Sequence, residues 1–205
     1  MLPEFKVDPL TSERWSDLEA LFGPRGACGG CWCMTPRLSR AEYERNKGEG
    51  NRRAMRAIVD GGEIPGILGF IRNKAIAWCS LGPRERFYWL AHSRLFRQPV
   101  DEQPTWSIVC LFVDKGYRGQ GVSVQMIKAA CAFAASQGAQ CVEAYPVEPR
   151  TSPIPPVFAF NGLASSFLRA GFREVARRSE TRPIMRHYIQ RPKKRLQRIA
   201  PSRSP

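Results

Sequence analysis

The sequence predicts an α/β (α+β) fold in which helices flank a mixed central sheet. Three observations support this prediction. An uninterrupted apolar run over residues 108–113 is typical of a strand buried on both faces. Apolar residues then recur at helical spacing over residues 122–137, after a turn that contains two glycines. Earlier, apolar runs at residues 67–71 and 75–81 flank three polar residues and predict an antiparallel hairpin.

Length and charge limit the protein class. The chain has 205 residues and a net charge of +14, and its length predicts a single domain over residues 1–190. Residues 191–205 carry basic side chains without an acid and are predicted to be a basic, disordered tail. The sequence shows neither a membrane-length apolar run nor a signal-peptide pattern, so we expect a cytoplasmic protein with no membrane partner.

The first part of the chain alternates short elements with loops. Residues 5–7 predict a strand, and Thr11 or Ser12 is positioned to cap a helix. The capping-box sequence at Ser39 predicts the start of a second helix, and Asn51 is expected to cap a third. All of these elements precede the predicted hairpin.

A glycine-rich loop near the N terminus holds three closely spaced cysteines, Cys28, Cys31 and Cys33. Structural zinc normally takes four ligands in two pairs, and no second pair follows, so we expect no metal. Two interpretations stay open. The loop either lines an apolar binding pocket or packs against the core. The pocket interpretation assigns substrate contacts to Trp32, Met34 and Arg37.

The second half of the chain predicts the rest of the sheet. Residues 83–103 suggest a helix that either caps a binding cleft or only lengthens the connection to the next strand. A strand over residues 140–146 follows a strand and a helix, and is therefore parallel to the strand at residues 108–113. The remaining predictions are a proline-rich loop at residues 147–160, a helix at 163–170, and a final strand pair at 173–176 and 185–189.

The turn before the long helix is a candidate anion site. A helix that begins just after Gly119 and Gly121 leaves its first N–H groups without intrahelical acceptors. Glycine permits the left-handed backbone and a close approach by an anion, and Arg118 adds a positive charge. The alternative is a basic turn that binds nothing.

This turn reads Arg118, Gly119, Gln120, Gly121, Val122, Ser123. It resembles the pyrophosphate-binding loop of GNAT superfamily N-acetyltransferases, although Ser123 replaces the usual glycine or alanine. The segment at residues 31–34 also resembles a bacterial GNAT subgroup without an assigned substrate. The resemblance covers about residues 61–190, and would place residues 1–60, with their helices and cysteine-rich loop, on the acceptor side.

The resemblance implies a mostly antiparallel central sheet with a splayed parallel strand pair, and acetyl-CoA as the acyl donor. In this family the pantetheine arm of CoA pairs with the free edge of the central strand, here at Phe112 and Val113. A helix tyrosine often protonates the departing thiolate, but Phe167 occupies that position.

Glu143 is the candidate general base, because a carboxylate in an apolar strand beside the cleft would be partly desolvated. The alternative is a structural carboxylate neutralised by an arginine. Tyr145, two residues further along the same strand face, is the candidate acid.

Three functions follow from these observations. The first is an enzyme, monomeric or homodimeric, that transfers acetyl or another short acyl group from CoA to a small primary amine by direct attack. The second is a CoA-binding or interaction protein without turnover, suggested by Phe167. The third is a nucleic-acid-associated protein suggested by the charge, but the sequence contains no recognition motif that supports it.

Overall fold

The computed structural model describes residues 4–150, 155 and 159–189. The described part contains one sheet with the following strands: β1 (Phe5–Pro9), β2 (Gly66–Ile71), β3 (Lys74–Pro83), β4 (Trp106–Val113), β5 (Cys141–Ala144), β6 (Arg173–Ser179) and β7 (Arg182–Tyr188). Their spatial order is β1-β2-β3-β4-β5-β7-β6. Only β4 and β5 are parallel, and every other neighbouring pair is antiparallel. The predicted mixed, mostly antiparallel sheet is therefore confirmed.

Helices cover both faces of the sheet. They are α1 (Trp15–Phe22), α2 (Arg40–Arg45), α3 (Glu49–Asp60), α4 (Tyr88–His92), α5 (Val122–Ser136) and α6 (Ala164–Arg169). Successive strand residues point to opposite faces. In β2, Ile67 packs in the core cluster of α5 and α6, whereas Leu68 packs in the cluster of α1 and α3. No helix in the described ranges is long and apolar enough to cross a bilayer.

The parallel pair is short and separates at its carboxyl end. β5 pairs only with the first three residues of β4, from Trp106↔Val142 to Ile108↔Ala144. On its other side, β4 has a bulge against β3: Ile108 pairs with Leu81 and Cys110 with Ser80, which leaves Val109 as the extra residue. From Val109 onward, no strand among the described residues pairs with β4 on its β5 side.

Several element boundaries differ from the predictions. α3 begins at Glu49, because Gly48 has a φ of 82° and cannot continue a helix. Asn51 therefore lies inside the helix and does not cap it. Asn51 is buried inside α3, where its Nδ2 donates to the Gly30 carbonyl at 3.1 Å. Thr11 precedes a 3-10 turn, and α1 begins only at Trp15. The capping box at Ser39 is confirmed.

The strand and connection lengths also differ. The hairpin between β2 and β3 turns on two residues, because Arg72 adopts a left-handed φ of 55° and Lys74 already pairs with Ile71. The predicted helix within residues 83–103 is reduced to a 3-10 turn and the five-residue α4. β6 and β7 are longer than predicted, because backbone pairing extends through their exposed arginines. Residues 190–205, including the predicted tail, lie outside the described residues.

Candidate active site

The loop that leads into α5 has an open front. Gly119 and Gly121 adopt φ values of 74° and 80°, which residues with side chains rarely adopt. A Cβ built at either position would meet no atom within 4 Å. The Asp114 carboxylate accepts a hydrogen bond from the Gly116 N–H at 2.8 Å and fixes the turn that precedes the loop.

The start of α5 presents unused donors. The N–H groups of Val124 and Gln125 both donate to the Gly121 carbonyl, at 3.1 and 3.2 Å. Among the described residues, no protein group accepts from the N–H groups of residues 119–123. The side chain of Arg118 extends back to β4, where its Nε donates to the Val113 carbonyl at 2.9 Å. The loop therefore combines free amides, the positive end of a fifteen-residue helix and a guanidinium.

Along β4, successive backbone N–H groups point alternately toward β3 and toward the side that β5 leaves open. The Asp114 N–H donates to Ile76 of β3 at 2.8 Å, so the Phe112 amide also faces β3. The amides of Leu111 and Val113 face the other side, toward the gap left by β5. The Leu111 N–H is already used by the Phe160 carbonyl at 2.7 Å, and the Asn161 Nδ2 donates to the Val109 carbonyl at 2.7 Å.

This arrangement separates the two residues that were predicted on the edge. Val113 presents its backbone to the gap, beyond the segment at Phe160. The Phe112 amide faces β3, and its ring packs against Phe22 at a centroid distance of 5.6 Å, so a contact of Phe112 with the donor stays a prediction. The sequence could not show this, because the bulge at Val109 sets which residues face outward.

The cysteine-rich loop packs against the core. Trp32 is 5% exposed and lies 6.2 Å from the Trp15 ring and 5.8 Å from Phe22. Met34 is also buried, in the same cluster. Trp32 and Cys33 both adopt left-handed backbone angles, which close the loop tightly. These contacts favour the core-packing interpretation over an open pocket.

Arg37 is buried beneath this loop. Its Nη2 donates to the Pro65 carbonyl at 3.0 Å, and its Nη1 contacts Glu63 Oε1 at 3.4 Å. The guanidinium stacks over the Phe87 ring, and burial lowers the pKa of Arg37. Its Nε has no acceptor among the described residues. Arg37 therefore joins the loop to the segment before β2.

Glu143 and Tyr145 lie together in a buried polar network. Arg186 Nε donates to Glu143 Oε2 at 2.7 Å, and Arg84 Nη1 donates to Oε1 at 3.2 Å. The Tyr145 hydroxyl donates to Oε1 and lies 3.1 Å from Ser107 Oγ. Burial, reinforced by the Glu143 charge, raises the pKa of Tyr145 far above its usual range. Sequence reasoning did not find Arg84, Ser107 and Arg186.

The network lies where β4 and β5 are still paired, with Ser107 opposite Glu143. Glu143 is 1% exposed and Tyr145 is fully buried. This geometry favours the alternative of a carboxylate neutralised by arginines. Their predicted catalytic roles remain predictions.

Comparison with known proteins identifies the family. The sequence model of the Acetyltransferase (GNAT) family matches residues 32–152, more than half of the chain. The chain belongs to the GNAT acetyltransferase family. No curated protein matches it.

Solved structures share the GNAT fold at low sequence identity. A GNAT-family acetyltransferase from Listeria monocytogenes has a TM-score of 0.54 and 10% identity, and the match covers 91% of this chain and 96% of the other. An arylalkylamine N-acetyltransferase 7 described as putative, from the mosquito Aedes aegypti, has a TM-score of 0.55 and 11% identity over 90% and 87% of the two chains. The PaiA N-acetyltransferase of Thermoplasma acidophilum, solved with coenzyme A, has a TM-score of 0.50 and 12% identity over 91% and 99%.

One further position distinguishes this GNAT protein. Phe167 of α6 is fully buried and packs edge-on against Phe172 at 5.0 Å, so this position supplies no phenolic hydroxyl. The described residues include no group of three or more His, Cys, Asp or Glu side chains placed to hold a metal ion.

Two surface cavities of about 260 and 410 Å³ share Trp106 and Gln137. They lie at the start of β4, away from the loop before α5.

The structure also brings together two cysteines that are far apart in sequence. Cys33 of the loop and Cys110 of β4 share the core cluster that covers the α1 face of the sheet. Hydrogen bonding from Cys110 lowers the pKa of Cys33 to about 7, against the opposing effect of burial. The same hydrogen bond, together with burial, raises the pKa of Cys110. No spacing in the sequence links residues 33 and 110.

Proposed function

We propose that this GNAT protein is an acyl-CoA-dependent N-acyltransferase that transfers acetyl from acetyl-CoA to a primary amine by direct attack of the amine on the thioester. The observation that carries the proposal is the row of unused amides at the start of α5, behind Gly119 and Gly121. A diphosphate is the anion that such a loop suits best in this family. The coenzyme A complex of the Thermoplasma acidophilum neighbour supports a CoA-based donor.

The donor would lie along two adjacent surfaces. The N–H groups of residues 119–123 bind the diphosphate, and Arg118 contributes charge beside it. This assignment includes Gln120, Val122 and Ser123 through their backbone amides. The pantetheine arm then follows the gap beyond β5 toward Val113. Because the Leu111 N–H already donates to the Phe160 carbonyl, the Val113 N–H is the edge amide that stays available to the donor.

The reaction needs a stabilised oxyanion and an unprotonated amine. Attack on the thioester places negative charge on the carbonyl oxygen, and a backbone N–H held in a dry gap stabilises that charge. We assign this role to the Val113 N–H. A lysine-like amine has a pKa of roughly 10.4, so a bound ammonium must lose a proton before it attacks.

The acceptor would approach from the α1 face, because α5 and the donor occupy the other side of β4. We expect a small, partly apolar amine there. The predicted contacts from Trp32, Met34 and Arg37 remain predictions, since each of these side chains already has core or backbone partners. The cytoplasmic location and the monomeric or homodimeric state are also predictions.

A second candidate function is CoA binding without turnover. It is favoured by the replacement of the helix tyrosine by buried Phe167 and by the burial of Tyr145. Enzymes of the first type need no strong acid, because a thiolate is already a good leaving group.

Release of CoA thiol decides between the two functions. The purified full-length protein is incubated with acetyl-CoA and each amine of a panel containing amino acids, polyamines, arylalkylamines and a lysine peptide. Amine-dependent thiol release together with the N-acetylated product supports the enzyme. Calorimetric binding of CoA with no release for any amine would favour the binding protein.

A further inference from the structure

A short turn lies between β4 and the chain that follows β5. On one side of this turn, the Leu111 N–H donates to the Phe160 carbonyl at 2.7 Å. On the other side, the Val147 N–H donates to the Gly162 carbonyl at 2.9 Å. We call residues 159–163 the gap turn. Because it fills the first part of the opening that β5 leaves beside β4, it determines where the open part begins.

Asn161 is the residue of the gap turn whose side chain bonds to β4. Its Nδ2 donates to the Val109 carbonyl at 2.7 Å, and Asn161 is 1% exposed. Val109 is the extra residue of the bulge, and the described β3 residues give it no partner. The Asn161 amide therefore supplies a donor to a buried carbonyl. The same hydrogen bond attaches the gap turn to the point where the two parallel strands separate.

Arg182, at the start of β7, fixes the orientation of the Asn161 amide. Its Nη1 donates to Asn161 Oδ1 at 3.4 Å. Because a guanidinium can only donate, the amide oxygen faces Arg182 and the amide nitrogen faces Val109. An aspartate would have the same shape but no donor for the Val109 carbonyl. The contacts therefore require an amide at residue 161, and not only a side chain of that size.

Close packing also holds the gap turn against β4. Gly162 has a φ of 82°, and a Cβ built there would lie 2.8 Å from Leu111 Cδ1 and 2.8 Å from Phe167 Cε2. Glycine thus allows the backbone of the turn to approach β4 and α6 closely. The Asn161 hydrogen bond and this packing are two separate restraints on the same segment.

Beyond the gap turn, two backbone groups of β4 face the open side in the described part of the chain. Alternation along the strand places the Leu111 carbonyl and the Val113 N–H there. The Val113 carbonyl already accepts from Arg118 Nε at 2.9 Å. A carbonyl and an N–H at neighbouring positions on one strand edge can pair with an extended chain that contains amides. The pantetheine arm of CoA has this chemistry.

We propose that Asn161 is a positioning residue that holds the edge of β4 in place for the pantetheine arm, an inference that rests on the proposed N-acyltransferase function. Asn161 acts through the Val109 carbonyl and the gap turn, and not by touching the donor. Together these contacts set the position of the Leu111 carbonyl and the Val113 N–H. Without the hydrogen bond, the edge is no longer fixed before CoA binds, so binding has to order it.

The test compares the affinities of two ligands by calorimetry. One ligand is CoA, and the other is 3′-phospho-ADP, which is CoA without its pantetheine arm. The variants are Asn161→Asp and Asn161→Ala, and the control is Asn73→Ala in the exposed turn between β2 and β3. In the wild type and the control, CoA should bind more tightly than 3′-phospho-ADP. In both Asn161 variants this advantage should fall roughly tenfold, while the affinity for 3′-phospho-ADP stays unchanged.

Turnover gives a second readout of the same contact. With one accepted amine, the Asn161 variants should show a KM for acetyl-CoA that is roughly tenfold higher and a lower kcat, because the thioester is held less firmly against the Val113 N–H. Arg182→Ala removes the group that orients the Asn161 amide. It should reduce the advantage of CoA over 3′-phospho-ADP in the same direction, by about threefold.

Two results would overturn the proposal. One is an Asn161→Asp protein in which CoA keeps its full advantage over 3′-phospho-ADP. The other is an equal loss of affinity for both ligands, which would show that Asn161 only stabilises the fold. If neither Asn161 variant folds, Arg182→Ala decides in the same way: a reduced advantage supports the proposal, and an unchanged one contradicts it.

Failure of the proposed function gives a different pattern. If the wild type binds CoA but releases no thiol with any amine, the N-acyltransferase function fails, and the comparison of the two ligands still decides the role of Asn161. If the wild type binds CoA no more tightly than 3′-phospho-ADP, the pantetheine arm does not use the β4 edge and the role of Asn161 is overturned. A wild type that binds neither ligand overturns both proposals.

Discussion

The two ends of β4 contrast in charge and in openness. At its start, where β5 pairs with it, Glu143, Arg186, Arg84 and Tyr145 form a dense charged network with almost no exposure. At its end, beyond the bulge at Val109, the charged groups Asp114 and Arg118 lie at the surface, backbone amides face a gap and the α5 loop opens beside them. A buried charge cluster thus stabilises the sheet, whereas unused neutral donors provide the candidate site.

The largest expected effect is at the start of β4, where a substitution should lower stability but leave turnover nearly unchanged. Glu143→Gln removes the buried carboxylate that Arg84 and Arg186 share and should lower the free energy of unfolding by roughly 3–5 kcal/mol. Arg186 then keeps only its ion pair with the half-exposed Asp101, and Arg84 keeps no carboxylate partner among the described residues. Turnover per folded molecule should change little. Urea denaturation and CoA release measure the two quantities.

Glu148→Gln is the matched control. Its ion pair with Arg177, at 2.6 Å, is substantially exposed and should contribute less than about 1 kcal/mol. If Glu143→Gln were as stable as the wild type but lost turnover, Glu143 would be catalytic and the contrast between the two ends would fail.

A proline scan tests which amides of β4 face the gap. Val113→Pro removes an N–H on the free edge, so the protein should fold, while kcat should fall roughly 100- to 1000-fold through loss of the oxyanion donor. Phe112→Pro removes an N–H that faces β3 and should destabilise the fold by about 3 kcal/mol. Thermal melting and CoA release distinguish the variants. A fully active Val113→Pro protein would exclude the Val113 amide as the donor.

Phe167→Tyr is expected to have the smallest effect. The ring is fully buried against Phe172, so a hydroxyl added there must find a partner in the core. We expect a stability loss of about 1–2 kcal/mol and turnover within a few-fold of the wild type. A tenfold or greater rise in kcat would show that the missing tyrosine limits the reaction.

The sequence was sufficient for features that depend on local pattern. The buried run of β4, the glycines before α5 and the parallel pairing of β5 follow from apolar periodicity, backbone requirements and connection handedness. The mostly antiparallel sheet with one parallel pair also agrees with the family resemblance. These features fix the position of the candidate donor site.

Features set by a single register or a distant contact could not be predicted. Because of the bulge at Val109, the backbone N–H of Val113, and not that of Phe112, faces the gap. A bulge of one residue cannot be recognised from the amino-acid composition of the strand. The arginines that neutralise Glu143 come from residues 84 and 186, in separate elements. The burial of Cys33 in the core occurs in a loop with left-handed backbone angles at Trp32 and Cys33, which side-chain pattern does not reveal.

Calorimetric titration of CoA into Gly119→Asp and Gly138→Asp proteins tests the central claim most directly. Both glycines have a left-handed φ, 74° and 85°, and empty space in front of the Cβ position, but they flank opposite ends of α5. We predict that Gly138→Asp binds CoA like the wild type, and that Gly119→Asp loses at least about tenfold in affinity, or about 1.4 kcal/mol. Equal affinity in the two variants, or no binding by the wild type, would contradict the assignment of the α5 amides to the diphosphate.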